Sequence, residues 1–300
     1  MQTEFSLKKS LRTRLSLTKK QEKAIVDMYS QVSQDISEEI QKLSELNNTS
    51  SILRTKYLEK LQNQINANLQ DNGTKLNKLV SDGIRQMSTA VVEDNKKWLT
   101  SLGFNMSAAW SNVPSEVLKS LATGQVYGGK WALSKSIWKD IAKNQNDINM
   151  IIAKGVAENK STYEIAKALE QYVNPNAAKP WDWGKVYPGT NKVIDYNAQR
   201  LARTMVQHAY QQSFVRTTFK NPWITKYQWE ASSAPPCPLC KDRDGQLYNK
   251  WELPLDHPNG MCNVIPVIEK SDEEIIDDLT NWINSPEGTY PSIDDFAASL

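Results

Sequence analysis

All three cysteines of the chain and one of its two histidines fall in one segment, PPCPLCKDRDGQLYNKWELPLDHPNGMC, from Pro235 to Cys262. The spacing is Cys237-x2-Cys240, then sixteen residues, then His257-x4-Cys262. Two thiolates two residues apart can grip one ion from a tight turn, and a later His and Cys can complete a tetrahedron of donors. Four such ligands leave no open position, so the chemistry predicted is structural: Zn2+ held by Cys237, Cys240, His257 and Cys262. Metal binding, worth about 10–16 kcal/mol in zinc-finger peptides, would offset the ordering of a proline-rich loop that has little core of its own. Unrelated free thiols would be scattered as small core residues, and none occurs elsewhere in the sequence. A neutral His257 needs its second ring nitrogen held, by Asp256 or by a backbone carbonyl.

Two enzymatic readings compete for the same residues. Pro236-Cys237-x-x-Cys240 matches one half of the zinc nucleobase deaminases, whose other half is a His-x-Glu with a proton-shuttling carboxylate. The earlier histidine, His208, is followed by Ala209 and Tyr210, so that half is missing. A redox Cys-x-x-Cys would be followed by a helix, whereas Cys240 runs into KDRDG, a turn sequence. His208 itself has no nucleophile motif beside it and reads as a packed, hydrogen-bonded residue. Gly-rich phosphate loops are absent, and no catalytic residue is assigned.

The elements that must position the cluster follow from periodicity. Ile25, Met28, Val32, Ile36, Ile40 and Leu43 keep the three-and-four spacing of one helix face between Leu17 and Leu46, and Leu76, Val80, Ile84, Met87 and Val91 repeat it before Trp98. A polar bend is expected between them, at Gln70 to Gly73. Shorter helices follow at VPSEVLKSLATGQV, after a break at Gly128-Gly129 from a Ser134 cap, and, behind an interruption at Asn159-Lys160, from Ser161 with Glu164 as a capping box up to Pro175. Asn174 to Asp195, carrying Trp181 and Trp183, reads as an ordered loop. Asn197 to Lys220 is helical in pattern, and ITKYQWEAS and VIPVIE, which flank the cysteine segment, are strand candidates. The fold class predicted is therefore α+β, predominantly α-helical: long N-terminal helices followed by a small zinc-braced α+β C-terminal region. The domains expected are 1–112, 113–268 and an acidic tail, 269–300.

The 300 residues carry a net charge of +2, unevenly spread. Met1 to Lys23 holds Lys8, Lys9, Arg12, Arg14, Lys19, Lys20 and Lys23 against Glu4 and Glu22, while Glu269 to Leu300 has nine acidic residues against Lys270. Lys8, Lys9, Arg12, Arg14, Lys19 and Lys20 are thus candidate contacts to nucleic acid or a charged partner, although solvated, mobile termini are the plainer expectation. No apolar run is long enough to span a bilayer and the N-terminus lacks the apolar stretch of a signal peptide, so the expectation is a protein made and used inside a cell, with no membrane partner.

The order LSKSIW, IIAKGVAENKSTYEIAKAL, AQRLARTMVQHAY, then W…CPLC-x4-G…HPNGMC resembles the phage head morphogenesis or minor capsid proteins, the phage Mu protein F-like family, over about residues 114 to 268. The resemblance places Cys237, Cys240, His257 and Cys262 on that family's Cys-x-x-Cys and His-Pro-x-Cys-Arg-Cys positions. Gly260 stands where the family often has the first cysteine of the last pair, and Met205 where an acidic residue commonly follows Ala-Arg-Thr. The resemblance implies a non-enzymatic virion component, present in the phage head and in the bacterial host cytoplasm during assembly. Its implied partners are the portal protein, the major capsid or scaffolding protein, and packaged DNA, with no small-molecule substrate. The alternative from another class is a zinc-containing nucleic-acid-binding module that uses the basic N-terminal arm.

Overall fold

The computed structural model describes residues 5–44, 51–158, 160–176, 194–232 and 237–300. Helices α1 (Lys8–Ser44), α2 (Ser51–Ser101), α3 (Val113–Thr123), α4 (Leu133–Ala157), α5 (Thr162–Val173) and α6 (Tyr196–Thr218) precede a small sheet region. That region comprises β1 (Ile224–Glu230), α7 (Pro238–Arg243), β2 (Leu247–Tyr248) and β3 (Asn263–Ile268), and α8 (Asp272–Ile283) and α9 (Pro291–Ala297) end the chain. The architecture is predominantly helical with one three-stranded antiparallel sheet near the C-terminus, ordered β2-β1-β3. Among the described residues, no helix is long and apolar enough to cross a membrane.

The chain divides into two compact units, each built from separated stretches. Unit 1 takes Met1–Thr18, Ser81–Leu121 and Arg203–Leu300; unit 2 takes Lys19–Val80 and Ala122–Ala202. The expected boundaries at 112/113 and 268/269 both fall within unit 1, and α1, α2 and α6 each give part of their length to each unit.

In unit 2, α1 buries Ile25, Tyr29, Val32 and Ile36, so Tyr29 rather than the half-buried Met28 completes the stripe. The expected bend at Gln70 to Gly73 does not form, and α2 runs straight through it. The physical reason is packing: a Cβ on Gly73 would lie 2.8 Å from the Trp138 ring, so the glycine admits a neighbouring side chain, and Asn72 Nδ2 donates to the Met28 carbonyl at 3.2 Å. The Ser161–Glu164 capping box forms as expected, whereas α4 begins one residue ahead of Ser134, behind Ala132, without a side-chain cap. The expected loop with Trp181 and Trp183, and the break at Asn159, lie outside the described residues except at their edges.

Unit 2 also buries a polar cluster. Asp140, Asn144 and Asp147 share one face of α4. The Tyr172 hydroxyl donates to Asp147 Oδ2 at 2.7 Å, Asn197 Nδ2 to Asp140 Oδ1 at 2.7 Å, and Gln199 Nε2 to Asp195 Oδ2 at 2.6 Å. Burial pushes the Asp140 carboxyl and the Tyr172 phenol above their usual ranges, Tyr172 also because Asp147 faces it.

In unit 1, the inner face of the sheet carries Tyr227, Trp229 and Val264 and packs on α6. The Phe214 and Tyr227 rings lie 5.3 Å apart, and the Tyr210 hydroxyl donates to the Val264 carbonyl at 3.3 Å. β1 pairs with β3 through Tyr227↔Pro266 and Trp229↔Val264, and with β2 through Tyr227↔Tyr248. A second apolar cluster joins Trp98, Leu99, Leu102, Trp223, Ile275, Leu279, Ile293 and Phe296. The acidic 269–300 segment is therefore not a free solvated tail: Ser271 and Glu274 cap α8 as a box, and α8 and α9 bury one face each.

Candidate metal centre

The Cys-x-x-Cys end is a knuckle built by local rules. Cys237 is extended at the N-cap of α7, Pro238 presets the first helical turn, and the Lys241 amide donates to the Cys237 carbonyl at 3.0 Å. This turn lifts Cys240 back beside Cys237, with Sγ···Sγ of 3.4 Å. Gly245, at φ +74°, reverses the chain so that its amide donates to the Trp229 carbonyl at 2.8 Å. The Arg243 guanidinium sits 5.0 Å from the Trp229 ring centre. The short helix α7 and strand β2 were not anticipated from KDRDG, since six and two residues are too short to show a period.

The other end, Asp256 to Cys262, is gripped by a stripe of buried polar side chains on α6. Thr204, Gln207, His208 and Gln211 stand at i, i+3, i+4 and i+7, all facing this loop. Thr204 Oγ1 accepts from the Asn259 amide at 3.1 Å, and Gln211 Oε1 accepts from the Asp256 amide at 2.8 Å. His208 Nε2 lies 2.9 Å from the Asp256 carbonyl, and burial pulls its pKa down, so it donates as a neutral ring. Gln207 Nε2 donates to both Asp256 Oδ2 at 3.0 Å and the Cys262 carbonyl at 2.6 Å. The Asp256 carboxylate further accepts the His257 amide at 2.8 Å and the Cys262 amide at 3.1 Å. A Cβ at Gly260 would lie 2.1 Å from Asp256 Cγ, so the glycine is what lets that carboxylate lie under the loop.

These two ends bring the cysteines and the histidine together. His257 Nε2 lies 3.3 Å from Cys237 Sγ and 3.1 Å from Cys240 Sγ, and Cys262 Sγ lies 3.3 Å from Cys240 Sγ. His257 Nδ1 is 2.9 Å from the Pro258 carbonyl, an acceptor only, so in the neutral ring the proton sits on Nδ1 and Nε2 turns its lone pair to the sulfurs. Of the two holders expected for that nitrogen, the backbone carbonyl is the one found. Donor atoms fall into two groups whose members all lie within 4.8 Å of one another: Cys237, Cys240 and His257, and Cys240, Asp256 and Cys262. Cys240 belongs to both. The predicted set of four is thus brought to one place but is not a single compact group, and Asp256, expected only as a holder, lies close enough to hold a metal with them.

The donor set fits a soft divalent ion. Tetrahedral zinc with bonds of about 2.3 Å to sulfur has S···S edges of about 3.8 Å. The 3.3 and 3.4 Å separations are a few tenths of an ångström tighter. Burial, reinforced by hydrogen bonds to the other thiols, pushes the Cys240 thiol up, while the Cys240 amide and His257 hold Cys237 below the usual thiol range. Burial lowers the His257 pKa, but the Pro258 carbonyl, Asp256 and Cys237 outweigh it and the net shift is upward.

The six basic candidates of the N-terminus separate. Lys8, Lys9, Arg12, Lys19 and Lys20 are exposed on α1, with Lys9 paired to Glu93. Arg14 is buried and turned inward: Nη1 donates to Gln207 Oε1 at 2.8 Å and to the Cys262 carbonyl at 3.1 Å, and Nη2 donates to Asn263 Oδ1 at 2.7 Å. Arg14 is therefore no surface contact, and these basic residues lie on a packed helix rather than a loose arm. The α6 stripe was missed as well; its signal in the sequence is four polar residues at helical spacing on a helix otherwise read by its apolar side.

No protein-family model matches the chain, and no curated protein or solved structure does either.

Proposed function

We propose that this chain is a structural, non-enzymatic minor head protein of a tailed bacteriophage, whose C-terminal region is braced by one Zn2+ on Cys237, Cys240, His257 and Cys262. The observation that carries the metal reading is the approach of Cys240 Sγ to Cys237 Sγ, Cys262 Sγ and His257 Nε2, and of His257 Nε2 to Cys237 Sγ, all at 3.1–3.4 Å. The identity of the ion rests on donor softness: thiolate and imidazole ligands suit zinc far better than magnesium or calcium. A structural rather than catalytic role is supported by the count of ligands, since four protein donors leave no place for a reactive water. It is also supported by Asp256, whose oxygens accept from Gln207 and from the His257 and Cys262 amides and so serve the loop's shape.

The phage-head role rests on the resemblance of residues 114 to 268 to the Mu protein F-like minor head proteins. In this reading the braced module docks on the portal or the inner shell of the procapsid, and exposed side chains such as Leu239, Leu247, Trp251 and Ile265 supply apolar contact area for it. The DNA-gripping alternative loses Arg14, which is buried.

The test combines composition with association. Elemental analysis of the purified protein is expected to find about one zinc per chain, and cosedimentation with portal particles is expected to persist at salt that screens phosphate contacts. Protein without a thiolate-bound metal removes the brace. Binding to DNA that collapses with salt, together with no portal association, replaces the head role with the alternative.

A further inference from the structure

Arg14 is a buried cation whose hydrogen bonds all end on neutral oxygens: the Gln207 amide, the Cys262 carbonyl and the Asn263 amide. Its guanidinium also lies 5.0 Å from the Tyr210 ring centre. A buried charge without an opposite charge in contact is costly, and an opposite charge nearby offsets part of that cost. Burial lowers the Arg14 pKa, while Tyr210, Asp256, Cys262 and Glu230 oppose that at longer range. One of its acceptors is the carbonyl of Cys262 itself. A divalent ion bound by three thiolates and a neutral imidazole carries a net charge of about −1.

We infer that Arg14 is the counter-cation of an anionic metal–thiolate centre, and that through it the first turns of α1 are seated in unit 1 according to whether the metal is bound. The inference rests on the zinc reading above. Gln207 forms the relay, because its Oε1 accepts from Arg14 while its Nε2 holds both Asp256 and the Cys262 carbonyl. With the thiols protonated and the ion gone, Arg14 keeps its hydrogen bonds but loses its matching charge, and the loop that presents the Cys262 carbonyl loosens. The start of α1 then depends on the anchor formed by Ser10, whose amide and hydroxyl donate to Asp94 Oδ2 at 2.7 and 2.6 Å. Residues 8–18 are therefore expected to loosen in the metal-free protein rather than detach.

Full-length wild type, Arg14→Lys and Arg14→Gln, stripped with chelator, are titrated with Co2+ and followed by the thiolate-to-cobalt absorption. Amide exchange of residues 8–18 is measured with and without Zn2+. Arg14→Gln is expected to weaken Co2+ binding on the order of ten- to a hundredfold, the range for partners just outside the ligand shell. Arg14→Lys, which keeps the charge, should lose less, and the metal should slow exchange over 8–18 in wild type but not in Arg14→Gln. Equal Co2+ affinity in all three proteins, or exchange over 8–18 indifferent to metal, overturns the inference and leaves the zinc reading standing. A wild type that gives no thiolate–cobalt band sinks both. Should Arg14→Gln not fold, the wild-type exchange comparison and Arg14→Lys decide the matter.

Discussion

In unit 2, the α4 face with Asp140, Asn144 and Asp147 meets a phenol and an amide that donate to its carboxylates at 2.7 Å, and Lys143 pairs with Asp147 at 3.6 Å. In unit 1, the Asp256 to Cys262 loop is gripped just as firmly from α6, yet what it presents inward is sulfur and an imidazole lone pair. Carboxylates and phenols are strong hydrogen-bonding partners and largely satisfy one another when buried together; thiols are weak donors and weak acceptors, so three of them buried beside a histidine do not. The difference lies in which atoms face each other, and it separates a polar core from a set of side chains that could hold a metal.

That contrast can be broken at several points. The largest effect is expected from Cys240→Ser or chelation. Protease sensitivity should appear between residues 237 and 262 while unit 2 stays resistant, as read by mapping of limited-digestion fragments; equal resistance of mutant and wild type would count against the metal brace. Gly260→Ala comes next, because its methyl would meet the Asp256 carboxylate, which three donors hold in place. A loss of about 1–3 kcal/mol in denaturant unfolding, with weakened Co2+ binding, is expected. Tyr172→Phe removes the donor to Asp147 and should cost about 1–3 kcal/mol without touching Co2+ affinity. A change in cobalt binding there would mean the two clusters are not independent.

The smallest effect tests charge in unit 2. Burial raises the folded pKa of Asp140, so its contribution to stability is fully present below the ordinary carboxylate range and is lost as pH rises through the raised value. Asp140→Asn should therefore unfold later than wild type at neutral pH, with the gap closing as the pH falls. Thermal melts across that range read the sign directly.

Legibility followed the range of the interaction. The helices, the capping box at Ser161 and strands β1 and β3 were readable because periodicity and caps are local. The cysteine and histidine cluster was readable because its ligand types are rare and closely spaced. What escaped depends on contacts far along the chain. Gly73 looks like a bend until Trp138 is placed against it, and Arg14 looks like a surface charge until Cys262, 248 residues later, accepts its hydrogen bond. The acidic segment read as solvated because its charges outnumber Ile275, Leu279, Ile293 and Phe296, whose burial only the partner cluster reveals.

The sheet has a consequence for crowding. One rim is β2, only two residues long, and the other is β3, where Pro266 lacks an amide hydrogen and the Val264 carbonyl is taken by Tyr210. Among the described residues neither rim offers a ladder onto which a neighbouring chain could zip, so at high concentration copies should stay separate molecules rather than polymerise strand by strand.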